Sequence, residues 1–282
     1  MKKVLVTGAN GQLGQCLQKI APSYKKLNFI FNGSKELDIT NILEIEGAFV
    51  KGNFDYCINC AAYTNVEQAE KTPDIAYKVN AEGVKNLANV CKSYNTTLIH
   101  ISTDYVFDGE KDEPYTVKDV PNPINEYGKS KLLGEKHIQE IMDNYCIIRT
   151  SWLYSEFGKN FVNKILRLGI KNKYVKVVND QIGSPTYAMD LAEIIIFIIN
   201  STLKFNGIYH YCNEGRISWY DFANELFKLN NLPVKVEKIQ SSDFKTYADR
   251  PQFSVLSNAK LVKEFEIKQI NWIKSLNNFV NN

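Results

Sequence analysis

Three side chains near the middle of the chain have the types and spacing needed to protonate an oxygen anion. Ser102-Thr103-Asp104 ends an apolar run, and Tyr127-Gly128-Lys129-Ser130-Lys131 follows it. Together they bring a hydroxyl, a phenol and an ammonium. These groups are required when hydride reaches a carbonyl carbon and charge develops on its oxygen. Tyr127 and Lys131 stand one helical turn apart, so a single helix face carries both. A free phenol, with a pKa of about 10, stays protonated at neutral pH; a nearby ammonium favours phenolate, so Lys131 is expected to lower the Tyr127 pKa. Lys131 is also long enough to reach a nicotinamide ribose. A Tyr-x-x-x-Lys pair is common on helix surfaces, and the strand-end Ser102-Thr103 ahead of it makes the combination specific.

The hydride carrier has its own motif upstream. Val4-Leu5-Val6-Thr7-Gly8-Ala9-Asn10-Gly11-Gln12-Leu13-Gly14 reads as an apolar strand running into a glycine-rich turn and then a helix. Gly8, Gly11 and Gly14 permit a tight turn, close approach of backbone to pyrophosphate, and close helix-on-strand packing. The helix that follows points its unpaired amides at the phosphates. An acid at the end of the second strand would hold an adenosine ribose 2′-hydroxyl, but the chain has Asn32-Gly33-Ser34-Lys35 there. Ser34 and Lys35 suit a 2′-phosphate, so NADPH is the expected cofactor, with NADH also possible. Asp38 and Ile39 suit the adenine edge. Ala61-Ala62-Tyr63-Thr64, after the third core strand, should border the cofactor.

Short apolar strands interleaved with helices must position these groups. Strands are expected over 4–7, 28–32, 56–60, 97–102 and 146–150. Helices are expected over 12–21, 42–50 (with Asp38 and Thr40 as possible caps), within 73–93, and over most of 125–142. This alternation implies an α/β fold: a doubly wound parallel sheet, Rossmann-like, covered on both faces. After residue 150 the pattern is less regular, and a smaller C-terminal substrate-binding lobe is expected. The division is residues 1–150 for the dinucleotide-binding core and 151–282 mainly for substrate, with the helix over 187–200 packing back on the core.

Composition excludes several classes. The 282 residues can bury a large core, and 44% hydrophobic with 23% charged residues is ordinary for a globular protein. A net charge of +3 gives no reason to expect a nucleic-acid partner. No apolar run approaches the roughly 20 residues of a membrane span, and the N-terminus enters the first strand directly, so a cytoplasmic protein is expected. Cys57 and Cys60 form a lone C-x-x-C inside a strand, where residues three apart face opposite sides; buried thiols are the favoured reading. The three histidines lie far apart, and no metal is expected.

With these residues in view, the chain resembles the extended short-chain dehydrogenase/reductase superfamily and, within it, the dTDP-4-dehydrorhamnose reductase family. The resemblance runs nearly end to end. Besides the glycine turn, it is carried by Ala61-Ala62-Tyr63-Thr64-Asn65-Val66, Val79-Asn80-Ala81 and Ser102-Thr103-Asp104-Tyr105-Val106-Phe107-Asp108-Gly109. Arg149-Thr150-Ser151-Trp152-Leu153-Tyr154, Asp180-Gln181-Ile182-Gly183-Ser184-Pro185-Thr186 and a late Arg250-Pro251 complete it. The resemblance implies NADPH-dependent reduction of the 4-keto group of dTDP-4-dehydro-L-rhamnose, the last step of dTDP-rhamnose synthesis for cell-surface polysaccharide. It implies Thr103, Tyr127 and Lys131 as catalytic. It implies Gly11, Gln12, Leu13, Asp38, Ile39, Ala62, Tyr63 and Thr64 as cofactor contacts, and Thr103, Asp104 and Trp152 beside the sugar, where Tyr105 and Tyr127 also fall. Arg250 adds a guanidinium suited to a diphosphate, with a salt bridge to Asp249 or another acid as the competing reading. Some relatives dimerise through magnesium held by glutamates; those ligands are not identifiable in this chain, and a monomer or homodimer is expected.

Rival readings are a reductase of another nucleotide 4-keto-6-deoxysugar, a dehydratase or epimerase, and a non-catalytic NADP-binding regulatory subunit, such as the beta subunit of methionine adenosyltransferase. Dehydratases of the superfamily need an acid pair beside the threonine; here Thr103 is followed by Asp104 and Tyr105. Epimerases retain their nicotinamide, whereas a net reductase must release it. The intact Thr103, Tyr127 and Lys131 oppose a purely regulatory role.

Overall fold

The computed structural model describes residues 1–201, 203 and 205–281. Strands β1 (Lys2–Thr7), β2 (Leu27–Asn32), β3 (Tyr56–Asn59), β4 (Thr97–Thr103) and β5 (Tyr145–Thr150) pair in parallel in the order β5-β4-β3-β1-β2. The later strand Gly207–His210 adds itself parallel to β5 and completes a six-stranded sheet. Helices α1 (Gln12–Ile20), α2 (Ile42–Gly52), α3 (Val66–Lys71), α4 (Pro73–Tyr77), α5 (Gly83–Ser93) and α6 (Glu126–Ile141) connect the strands.

Alternation along the strands divides the core into two layers. Val4, Val6, Ile58, Ile99 and Ile148 face Leu13 and Leu17 of α1 and Leu191, Ile195 and Ile199 of the helix Ala188–Asn200. Leu5, Cys57, Leu98 and Ile147 face the other way, onto Ile45 and Phe49 of α2, Val84 and Leu87 of α5, and Ile138 of α6. Each such aliphatic side chain contributes about 1.5–3 kcal/mol by leaving water. A sheet covered on both faces accommodates largely apolar strands, which is why β3 to β5 read as hydrophobic runs interrupted only at a few positions such as Asn59 and His100. Cys57 and Cys60 belong to opposite layers, and the six cysteines are free thiols.

Two local details differ from the expectations. The α2 cap is Asn41, whose side chain accepts from Leu43 N, rather than Asp38 or Thr40. The helix expected within 73–93 is broken into α4, a π-helical turn over Lys78–Glu82, and α5. The turn directs Asn80 inward: its Oδ1 accepts from Tyr63 N at 2.8 Å, and its Nδ2 donates to Tyr63 O and Ser130 Oγ, both at 3.0 Å. A π turn costs helix regularity; here its return is a buried amide that ties the exit of β3 to α6.

Beyond β5, Leu153–Tyr154 pairs with Thr186–Tyr187, and Tyr174–Val178 pairs in parallel with Lys235–Ile239. Around the latter pair, the helices Phe161–Lys171, Trp219–Leu229 and Trp272–Asn281 bury Val162, Ile165, Phe222, Leu226 and Leu276 in a second core. Among the described residues, no helix is long and apolar enough to cross a membrane.

One buried ion pair fastens α6 to the sheet. Glu135 on α6 and Arg149 on β5 are both essentially without solvent exposure. Arg149 Nη2 donates to Glu135 Oε2 at 2.6 Å and Nε to Oε1 at 3.0 Å, while Ser102 Oγ donates to Oε1 at 2.5 Å. Breaking such a pair leaves an uncompensated buried charge. Glu135→Ala is therefore expected to cost about 3–5 kcal/mol in urea-unfolding free energy. The double replacement Glu135→Leu with Arg149→Met should cost clearly less than the sum of the two single replacements. Additive losses in that cycle would show that the two side chains act separately.

Candidate active site

All the strands of the sheet run in parallel, so their carboxyl ends lie along one edge, where open α/β sheets take ligands. A cavity of about 680 Å³ opens there. One part of its wall is Gly11, Gln12 and Leu13, with Ala62 and Thr64 from the exit of β3; another is Thr103, Asp104 and Tyr105 from the end of β4, with Tyr127 and Lys131 from α6. A third carries Trp152, Phe161 and Trp219 from the chain beyond β5. Eleven of the residues singled out from sequence thus meet around one space, the eleventh being Trp152. Gly8, Gly14, Ser34, Lys35, Asp38, Ile39, Ala61, Tyr63 and Arg250 are not part of this lining.

The turn after β1 is built for close approach. Gly8 has φ +64°, and a Cβ placed on it would lie 2.4 Å from Ala61 N. Only glycine fits against the β3 exit in that conformation. The helix α1 then starts at Gly11, and among the described residues no side chain caps it. Its first-turn amides are therefore available to an anion, as a dinucleotide pyrophosphate requires. At the end of β2, Ser34 and Lys35 are exposed, while the Glu36 carboxylate lies close to Gly33. Sequence spacing placed no acid at the strand end; the turn at Gly33, whose carbonyl accepts from Glu36 N and Leu37 N, brings one back.

Thr103, Asp104 and Lys131 are buried at the edge of this cavity, and Tyr105 and Tyr127 are half-buried beside them. Thr103 Oγ1 donates to Asp104 Oδ1 at 3.1 Å and accepts from Tyr105 N at 3.2 Å. Burial pushes the Tyr127 phenol above its ordinary value; the negative charge of Asp104 and the neighbouring Tyr105 add to this, and a hydrogen bond with Thr103 works against it. The expected lowering by Lys131 is therefore corrected: desolvation dominates, and Tyr127 is a neutral acid. Asp104 is raised to about 7 by burial, against hydrogen bonds from Ser254 and Thr103. Lys131 is pushed down to about 8 by burial, with Glu135 and Cys60 pulling the other way.

Behind Lys131 lies a polar row that sequence reasoning missed. Lys131 Nζ donates to Ile101 O at 2.7 Å and sits 3.3 Å from His100 Nε2. His100 Nδ1 faces Asn59 Nδ2 at 3.0 Å, and Asn59 Oδ1 accepts from Thr7 Oγ1 at 2.7 Å and Ala61 N at 3.1 Å. The parallel register sets Thr7 opposite Asn59 and Asn59 opposite His100, so all three side chains share one face. A polar residue within an apolar strand run was the available signal.

The aromatic wall has a feature that no motif announces. Trp152, at φ +47°, stacks on Trp219 with ring centroids 3.4 Å apart and planes 7° from parallel. One indole face of Trp152 is thus covered by Trp219. Arg250 lies off the main cavity: its Nη2 meets Glu67 Oε1 at 2.6 Å, so the acid it pairs with is Glu67 on α3 rather than Asp249. It lines an adjoining cavity of about 700 Å³ together with Lys159, Lys164, Arg167 and Lys171.

Known proteins share this arrangement. The dTDP-4-dehydrorhamnose reductase of Bacillus anthracis, solved in complex with NADP, superposes with a TM-score of 0.95 at 40% identity, covering 99% of each chain. A dTDP-4-dehydrorhamnose reductase from Clostridium acetobutylicum superposes with a TM-score of 0.94 at 42% identity, covering 99% of this chain and 98% of that one. A curated dTDP-4-dehydrorhamnose reductase from Aggregatibacter actinomycetemcomitans is 39% identical over 290 residues, spanning 99% of this chain and 98% of its own. The family described as RmlD substrate binding domain matches residues 1–282, and the chain belongs to that family.

Proposed function

We propose that this chain reduces the 4-keto group of dTDP-4-dehydro-L-rhamnose with NADPH, as a cytoplasmic dTDP-4-dehydrorhamnose reductase, monomeric or homodimeric. The observation that carries the reading is the meeting of Thr103, Tyr127 and Lys131 in the same cavity as the uncapped start of α1. A purely binding module has no use for a hydroxyl, a phenol and a lysine lining one cavity. Residues 1–150 hold the cofactor, and residues 151–282 mainly hold the sugar nucleotide.

The residues divide the work. The turn Gly8–Gly14 and the α1 amides hold the pyrophosphate; Ala61, Ala62, Tyr63 and Thr64 border the cofactor, and Asp38 and Ile39 its adenine edge. When bound, the reduced nicotinamide supplies the hydride. Thr103 turns its hydroxyl to the keto oxygen, where negative charge develops. Tyr127, held neutral by burial, gives its proton to that oxygen. Lys131 orients the ribose and restores the Tyr127 proton. Asp104 and Tyr105 border the sugar, and Trp152, stacked on Trp219, forms part of the wall beside it.

Replacing Tyr127 with Phe keeps the ring and removes the acid. Turnover should fall by roughly 100-fold or more, the range expected for acid–base groups. NADPH binding, followed by fluorescence titration, should be unchanged. A folded variant with near wild-type turnover would remove Tyr127 from the mechanism.

The cofactor preference should be modest. Lys35 is exposed, and an exposed pair with a 2′-phosphate is worth only about 0.2–1 kcal/mol. The nearby Glu36 carboxylate opposes that phosphate. Lys35→Ala should therefore bring kcat/KM for NADPH and NADH closer together, and a wild-type preference for NADH would overturn the assignment.

Arg250 and the lysines beside it suit the substrate diphosphate. Its ion pair with Glu67 is half-buried, and lysine keeps the positive charge, so Arg250→Lys should change the melting temperature little. KM for the nucleotide sugar should rise while NADPH affinity stays the same. Early melting with normal sugar binding would make Arg250 a scaffold residue.

A further inference from the structure

The polar row behind Lys131 has a direction. Ala61 N–H needs an acceptor and finds Asn59 Oδ1 at 3.1 Å, which also accepts from Thr7 Oγ1. The amide of Asn59 is thereby oriented, and its NH₂ faces His100 Nδ1 at 3.0 Å. His100 Nδ1 must accept, so the neutral ring carries its proton on Nε2. That N–H points at Lys131 Nζ, 3.3 Å away. A lysine ammonium would set donor against donor there. A lysine amine accepts the bond, and still donates to Ile101 O.

We propose that His100 is a positioning residue of the reaction, presenting its Nε2–H to Lys131 so that the uncharged amine is favoured and Lys131 readily yields a proton toward Tyr127. The proposal rests on the reductase reading for its place in catalysis. The protons balance as follows. The sugar alkoxide takes the Tyr127 proton, and its new O–H bond forms as the phenol O–H breaks. The phenolate takes a proton from the Lys131 ammonium, whose N–H breaks. The resulting amine accepts the His100 N–H bond, and water later reprotonates it. The hydride comes from the cofactor, and no other oxidant or reductant is needed.

The surroundings leave this role to His100. Glu135, on the same helix as Lys131, is engaged by Arg149 and Ser102 and so is largely compensated. Cys60, at the exit of β3, is pushed above its ordinary value by burial and stays a neutral thiol. His100 itself is fully buried, and burial with Lys131 beside it holds the ring neutral, well below the usual range. The group opposite Lys131 is therefore a fixed donor at working pH.

The test reads the tautomer directly. The chain has three histidines, so ¹⁵N-histidine two-bond spectra of the wild-type protein are easily assigned with a His100→Phe variant. His100 should show a proton on Nε2 and a bare Nδ1, and the Nε2 signal should shift as Lys131 titrates near pH 8. In Lys131→Met that shift should vanish. Asn59→Asp should reverse the row, because a carboxylate accepts from Nδ1–H and turns Nε2 into an acceptor for the ammonium. The alkaline limb of the kcat profile should then move up by about one unit, a tenfold change in the protonation equilibrium. A wild-type proton on Nδ1, or an Nε2 shift that persists in Lys131→Met, overturns the proposal. So does an Asn59→Asp profile that loses height without moving. The stated tautomer and titration in a protein with no reductase activity would instead overturn the reductase reading and leave His100 as the group that sets the charge of Lys131.

Discussion

Helix α6 has to lie against the end of β4 closely enough for Tyr127 and Lys131 to reach the space in front of Thr103. Two features impose that approach. Gly134 leaves no side chain between α6 and the π turn, where a Cβ would come within 2.1 Å of Asn80 O. One residue further on, Glu135 reaches through the core to Arg149 of β5 and Ser102 of β4. Close packing removes water from these contacts, and the loss of water makes the ion pair sensitive to any displacement. The reactive groups are thus set by contacts one to two turns away along the same helix.

The same burial decides the protonation states. Where packing shields these groups from bulk water, each charge is penalised. Tyr127 is held as a phenol, Asp104 is raised to about 7, and Lys131 is lowered to about 8. A tyrosine kept protonated is suited to giving up a proton to an alkoxide, the direction a reductase needs. A lysine whose transition lies near neutrality can pass a proton on at modest cost. Neither state is a property of the isolated side chain.

The glycine turn and the second core are joined by polar contacts. Gln12 Oε1 accepts from Ser155 Oγ at 3.1 Å and from Asn160 Nδ2 at 2.7 Å, and Asn160 in turn caps the helix Phe161–Lys171. The glycine turn and the start of the helix Phe161–Lys171 are therefore fixed relative to each other through one glutamine.

Much of this was legible before any coordinates. The glycine spacing, the strand–helix alternation, and the pairing of Ser102-Thr103 with Tyr127 and Lys131 each report local geometry, which neighbouring residues along the chain determine. The doubly wound sheet and the meeting of Thr103, Tyr127 and Lys131 follow from those local rules. What lay beyond reach depends on residues distant in sequence. The stacking of Trp219 on Trp152 and the pairing of Arg250 with Glu67 each need a contact that no spacing encodes. The sign of the Tyr127 shift was misjudged because a nearby charge is visible in a motif, whereas desolvation is a property of everything packed around it. The row from Thr7 through Asn59 and His100 to Lys131 exists only because parallel pairing brings residues from three strands to one level and points them at one helix. Sequence determined which groups this protein has for its chemistry; tertiary structure decided which of them are neighbours, how dry they are, and where their protons sit.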